Sequence, residues 1–361
     1  MISHIRNIFL WSSFIPFLFF SDGYLFILLI TMCSFFFVFG TFVSIPNINK
    51  RNDHSLIKLK NKKLLIILPI LYLLLKQGYI FETFDALTSG GFFQLSMERT
   101  RDRYDDNISY GALFNIGSSV FFLYTYINGL CHRGFLNKNF IIILIMILIE
   151  ISSLAKLSIL IGGMTYFIGF VLKNRSLKLK SNFKSFFLIP LGLVLCVSLL
   201  MVVQFFRVKE KSDALEIILF NKLPVYTISH YKACQIWFDK MYMNTNMGYG
   251  YYTFSSIYKL FDYQFPQGFY KPINTIYGVT NVYTTYRNIL SDIPLPFVFL
   301  FFFLIGLGIN NISKKSINYF DVILFMIVIP FALFPFYSIY IFTTYSLFTI
   351  MSIFVIKIKK I

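Results

Sequence analysis

Residues 322–356 read VILFMIVIPFALFPFYSIYIFTTYSLFTIMSIFVI, 35 consecutive positions without Asp, Glu, Lys or Arg. One crossing of a hydrocarbon layer of about 30 Å takes about 20 helical residues, so the run is too long for one span and just long enough for two. Pro335 is the natural break, because a proline removes an amide donor and clashes with the preceding turn. Similar uncharged runs cover 23–49, 107–132, 185–206 and 293–313, and shorter ones cover 7–21, 64–75, 139–149 and 157–172.

Charge decides how these runs are threaded. Basic residues gather in short polar segments: Arg6, Lys50 to Lys63, Arg133 and Lys138, Lys173 to Lys184, Lys314 and Lys315, and Lys357, Lys359 and Lys360. Short cytoplasmic loops carry excess Lys and Arg, so all of these belong on one side, which requires 139–172 and 320–356 to be helical hairpins. The expectation is one all-α polytopic membrane domain over 1–361, with about ten transmembrane helices and both termini cytoplasmic. A first periplasmic loop covers 82–110 and a large one 204–293. Within the large loop, Asp213 to Met241 reads as an amphipathic helix along the membrane surface, with Leu215, Ile218, Leu219 and Leu223 apolar.

Composition agrees. Of 361 residues 57% are hydrophobic and 14% charged, with 46 Phe and 24 Tyr, and mean hydropathy is +0.68. A soluble chain is about 25% charged, so a soluble enzyme is excluded. The two outer loops carry twelve Lys and Arg against twelve Asp and Glu, so the net charge of +17 lies elsewhere. It reads as orientation toward anionic lipid, and nucleic-acid binding loses its support.

The first 22 residues resemble a signal peptide but lack a small-x-small cleavage pattern at Ser21-Asp22-Gly23, so they read as a retained first helix. Cys33, Cys131 and Cys196 fall inside spans, and Cys234 stands alone in the large loop, which leaves no disulfide framework. No internal repeat of the kind frequent in secondary transporters is visible.

The polar chemistry collects outside. Arg99, Arg101 and Arg103 alternate between Glu98 and Asp106, and guanidinium forks suit phosphate oxygens through bidentate hydrogen bonds. Glu150 and Lys156 flank a predicted hairpin turn, as an interfacial ion pair or with Lys156 at the floor of an outer cavity, while Lys76 reads as a snorkelling stem. The large loop holds twelve tyrosines, including Tyr251, Tyr252 and Tyr283. Some belong to an aromatic belt, and the remainder suit stacking on sugar faces. No metal-ligand spacing, Gly-rich phosphate loop or nucleophile elbow occurs, so neither a metal nor a cofactor is expected.

Gly248-Tyr249-Gly250-Tyr251-Tyr252-Thr253-Phe254, then Thr280-Asn281-Val282-Tyr283-Thr284-Thr285-Tyr286-Arg287, then Asp292 leading into a span ending Gly306-Leu307-Gly308, resemble the oligosaccharide repeat-unit polymerases, the O-antigen polymerase (Wzy) family. Where that family often shows Asp-Phe-Gly this chain has Asp292-Ile293-Pro294, and where it often shows Arg near a hairpin turn this chain has Lys156. The resemblance implies an inner-membrane glycosyltransferase that joins undecaprenyl-pyrophosphate-linked repeat units on the periplasmic face, working alone or with a chain-length regulator. It implies Arg207 and Arg287 bracketing the pyrophosphate, assisted by Arg99, Arg101, Arg103 and Lys156. It also implies a base drawn from Asp292, His230 and Asp239, and glycan contacts from Tyr251, Tyr252 and Tyr283. The alternatives are a flippase for the same lipid-linked unit and a membrane O-acyltransferase.

Overall fold

The structure is a computed structural model that describes residues 2–19, 23–43, 55–89, 91, 95, 112–131, 138–152, 156–174, 228–244, 246–259, 273–276, 278–280, 284–312, 317–333, 335 and 343–360. Among these the chain is mostly helical: α1 (Ile2–Phe19), α2 (Tyr24–Phe42), α3 (Leu64–Thr88), α4 (Ala112–Leu130), α5 (Lys138–Ser152), α6 (Lys156–Asn174), α7 (Ser229–Met241), α8 (Ser255–Lys259), α9 (Thr285–Asp292), α10 (Leu295–Asn311), α11 (Tyr319–Leu333) and α12 (Thr343–Val355). Four short strands, β1 (Ser55–Leu59), β2 (Ile273–Thr275), β3 (Gly278–Thr280) and β4 (Ile356–Lys360), form two two-stranded sheets, β1 with β4 and β2 with β3. Two described helices, Tyr24–Phe42 and Leu64–Ala86, are long and apolar enough to cross a membrane, and five shorter helices are also apolar. The run from 185 to 206 lies outside the described residues.

The chain divides into two compact units: residues 1–55, 219–349 and 360–361, and residues 56–218 and 350–359. In the first, α2 lies along α10. A β-carbon on Gly40 would strike the Phe303 carbonyl, and one on Gly306 would strike the Phe37 carbonyl, so the two backbones touch at reciprocal glycines. Close backbone approach through small residues is how helices associate where lipid removes the hydrophobic drive between them. The Asn310 amide donates to the Val43 carbonyl at 2.9 Å, and Arg6 lies over the Phe42 ring. The start of α1 and the carboxyl ends of α2 and α10 therefore share one end of this unit. The break expected at Pro335 separates α11 from α12, and Tyr345 on α12 donates its hydroxyl to the Met326 carbonyl on α11.

The second unit repeats the device with other residues, because Gly129 on α4 and Gly169 on α6 sit against the Tyr166 and Tyr126 carbonyls. Its α3 has an inverted pattern. Leu68, Tyr72, Lys76 and Thr83 are buried, while Ile66, Ile70, Leu74 and Phe81 are exposed. Polar side chains inward and large aliphatic ones outward is the reverse of a water-facing helix, and it suits a lipid environment.

Candidate functional site

The helix α9 organises the site. Thr284, in extended conformation, precedes it, and it stops at Ile293, which the following Pro294 holds out of the helical region before α10 begins. All eight of its residues are buried, five of them the polar Thr285, Arg287, Asn288, Ser291 and Asp292. Buried polar groups require partners, and the segment that carries the Gly-Tyr-Gly motif supplies them to Asn288 and Asp292.

The 248–254 turn closes over the carboxyl end of α9. The Gly248 N–H donates to the Ser291 carbonyl at 2.9 Å and the Tyr249 N–H to the Asp292 carbonyl at 3.1 Å. These bonds take up carbonyls that a helix end leaves unsatisfied. The Asp292 carboxylate receives the Tyr252 N–H on Oδ1 at 2.9 Å and the Thr253 N–H on Oδ2 at 2.6 Å. The Asn288 amide donates back to the Tyr252 carbonyl at 2.9 Å. Gly248 is required at its position, since a β-carbon there would collide with Asp292 Oδ1 and the Tyr252 ring. Tyr249 (φ 49°) and Gly250 (φ 96°) make the left-handed bend that lets the turn fold back.

The rings of this turn range from exposed to half-buried, with Tyr251, Tyr252 and Phe254 half-buried. Tyr249 is 78% exposed. Tyr251 meets Tyr252 and Tyr258 edge to face, with centroids 5.4 and 5.3 Å apart. The Tyr258 hydroxyl is fixed by donating to the Tyr249 carbonyl at 2.9 Å. Such a cluster offers apolar faces with hydroxyl rims, the chemistry that stacks on a sugar.

Arg287 is 5% exposed, and its guanidinium lies over the Trp237 ring, 5.1 Å from the centroid. A desolvated guanidinium on an indole face keeps its charge and is held flat. Burial holds the Asp292 carboxyl above its ordinary value, against the pull of its hydrogen bonds from Thr253 and Tyr252. Burial, and then the Asp292 charge, raise the Tyr252 hydroxyl, while Arg287 opposes. Burial pushes the Cys234 thiol to about 12, although the Thr284 hydrogen bond and Arg287 draw it down.

Of the residues singled out from sequence, the structure brings together Arg287, Asp292, Tyr251 and Tyr252. His230 and Asp239 occupy opposite ends of α7, about 13 Å apart along its axis. The His230 Nδ1 is 3.4 Å from the Thr280 hydroxyl, and the exposed Asp239 accepts from the Gln235 amide at 3.4 Å. Arg99, Arg101, Arg103, Arg207 and Tyr283 lie outside the described residues, as does the side chain of Lys156, the first residue of α6. Trp237 and Asn288 enter the site unannounced. Trp237 could have been flagged as one of only two tryptophans in the chain, whereas nothing in the sequence marks Asn288.

Two expectations change. The amphipathic helix does not lie along a surface where it is described. In α7, His230, Tyr231, Lys232, Cys234, Gln235 and Trp237 are all buried, because Tyr231 reaches the Ser12 carbonyl at 2.7 Å and Gln235 packs on Gly23. In the second unit Lys76 is no snorkelling stem. It is 0% exposed and pairs with Glu150 at 3.2 Å, while also donating to Ser118 at 3.0 Å. Tyr72 donates to the same Glu150 oxygen at 2.9 Å, so Glu150 reaches α3.

Among the described residues no three His, Cys, Asp or Glu side chains gather as a metal site. Comparison with models of known protein families, with curated proteins and with solved structures finds no match.

Proposed function

We propose that the chain is a ten-span inner-membrane polymerase that joins undecaprenyl-pyrophosphate-linked repeat units into O-antigen or a similar surface polysaccharide on the periplasmic face. One observation carries this reading. The segments on which the resemblance rests, Gly248–Phe254, Thr280–Arg287, Asp292 and Gly306–Gly308, are separated in sequence, yet the first of them folds against the Asp292 carboxylate. That contact lies beside the amino end of α10, at the other end of this unit from Arg6.

In the proposed reaction the acceptor sugar hydroxyl of one lipid-linked unit attacks the anomeric carbon of the growing chain. The new glycosidic C–O bond forms, the bond from that carbon to the pyrophosphate breaks, and undecaprenyl pyrophosphate departs with the bonding pair. Arg287 stabilises the charge on the departing pyrophosphate. The acceptor proton passes to Asp292. Two of the roughly four acceptor positions of a carboxylate are occupied by backbone N–H groups, and its raised proton affinity brings it toward the working pH. Tyr251 and Tyr252 hold the sugars.

Purified protein given only lipid-linked repeat units in a bilayer tests this. The expected product is a lipid-linked dimer, with one undecaprenyl pyrophosphate released per linkage, without added metal or nucleotide. Absence of dimer from active membranes overturns it. The buried Lys76–Glu150 pair favours a second reading, transport of the same lipid-linked unit, since ionisable pairs inside spans mark transport routes. That reading predicts translocation without bond formation.

A further inference from the structure

The basic segments read from sequence as scattered orientation signals, but the fold gathers two of them. In the second unit β1 pairs with β4, and the Lys60 N–H extends the contact by donating to the Val355 carbonyl at 2.9 Å. Side chains alternate across a strand. Ile57, Leu59, Ile356 and Ile358 turn inward, with Ile356 fully buried, while Lys58, Lys60 and Lys357 are exposed. Lys62 and Lys63, also exposed, follow at once, and the Asn61 side chain holds the Lys63 N–H at 2.9 Å. From Leu56 to Lys63 and from Ile350 to Lys359 there is no Asp or Glu.

We infer that this lysine face is a docking surface for anionic phospholipid headgroups. Like charges gathered on one small sheet repel and weaken it, so the arrangement is favoured only where an external anion answers it. The position names that anion. Lys63 immediately precedes Leu64, the first residue of an apolar helix long enough to cross a membrane, and β4 leaves directly from apolar α12. Both strands therefore emerge where hydrocarbon gives way to headgroups, and ammonium groups there meet lipid phosphates. A nucleic acid has no such reason to be met at this level. The inference rests on α3 being a membrane span and is independent of the polymerase chemistry.

The test uses the full chain in mixed detergent micelles with fluorescent phosphatidylglycerol or phosphatidylcholine. Phosphatidylglycerol binds preferentially to the wild type, and Lys58→Gln, Lys60→Gln and Lys357→Gln each weaken that binding about fivefold, as expected for about 1 kcal/mol per surface lysine. The triple Lys→Arg variant keeps the binding, which separates charge from folding. Equal phosphatidylglycerol binding by wild type and the Gln variants overturns the inference. So does displacement of the lipid by millimolar inorganic phosphate or by a short RNA. A wild type that selects phosphatidylglycerol but forms no lipid-linked dimer would count against the polymerase reading alone.

Discussion

The two units bury charge in opposite ways. In the first, Arg287 rests on an indole face and the Asp292 carboxylate is answered by backbone N–H groups. In the second, Lys76 and Glu150 answer each other, with Tyr72 and Ser118 completing the set. Backbone N–H groups and a ring fix charged side chains within one polar turn, whereas an ion pair between α3 and α5 ties two helices together. The first arrangement therefore suits a site and the second a fastening between α3 and α5.

Breaking the fastening gives the largest expected effect. Lys76→Met alone leaves Glu150 buried beside an apolar side chain and should cost about 3–5 kcal/mol in unfolding experiments in detergent. Lys76→Met with Glu150→Leu should recover most of that loss. If the single and double variants are equally unstable, the pair is not what joins the helices.

At the site, Arg287→Ala should lower polymer formation about 100- to 1000-fold with the protein still present at normal amounts in the membrane. Arg287→Lys should recover little, because an ammonium neither forks nor lies flat on Trp237. A normal polymer ladder from either variant removes Arg287 from the mechanism.

Gly248→Ala forces a β-carbon into Asp292 and Tyr252 and should destabilise the turn by about 1–3 kcal/mol, read as faster proteolysis within 246–259. A smaller effect distinguishes Asp292. Its raised proton affinity means that its stabilising contribution is complete below the ordinary value of 3.8 and is lost as pH rises through its own higher value. The wild type should therefore lose stability relative to Asp292→Asn as pH climbs from acid toward neutral. A difference that is flat with pH, or of opposite slope, contradicts the burial argument.

Thiol labelling sharpens the topology. Cys234 is fully buried with its thiol held near 12, so it should resist maleimide in the folded protein on either side of the membrane. Met243→Cys, at a position 91% exposed, should label from outside with an impermeant reagent, and Lys60→Cys only after the cytoplasm is opened. The reverse pattern would invert the orientation on which the polymerase reading stands.

Much of this was legible before any fold was known. Runs without charge located most helices, since an apolar helix in lipid needs length and little else, and Pro335 announced its own break. Arg287, Asp292, Tyr251 and Tyr252 were legible as chemistry. Their joint geometry was not, because Asp292 meets Tyr252 across 40 positions and no local pattern encodes that distance. Lys76 was misread for the same reason: its partner lies 74 positions along the chain on another helix.

The sequence by itself determined the apolar balance and the net charge, because hydropathy and net charge are sums over residues and need no coordinates. Only the tertiary structure decided which glycines let helix backbones touch, which carboxylate received the tyrosine turn, and which lysine was buried rather than wet. Those outcomes depend on contacts between distant segments, whose energies exist only once the chain has closed upon itself.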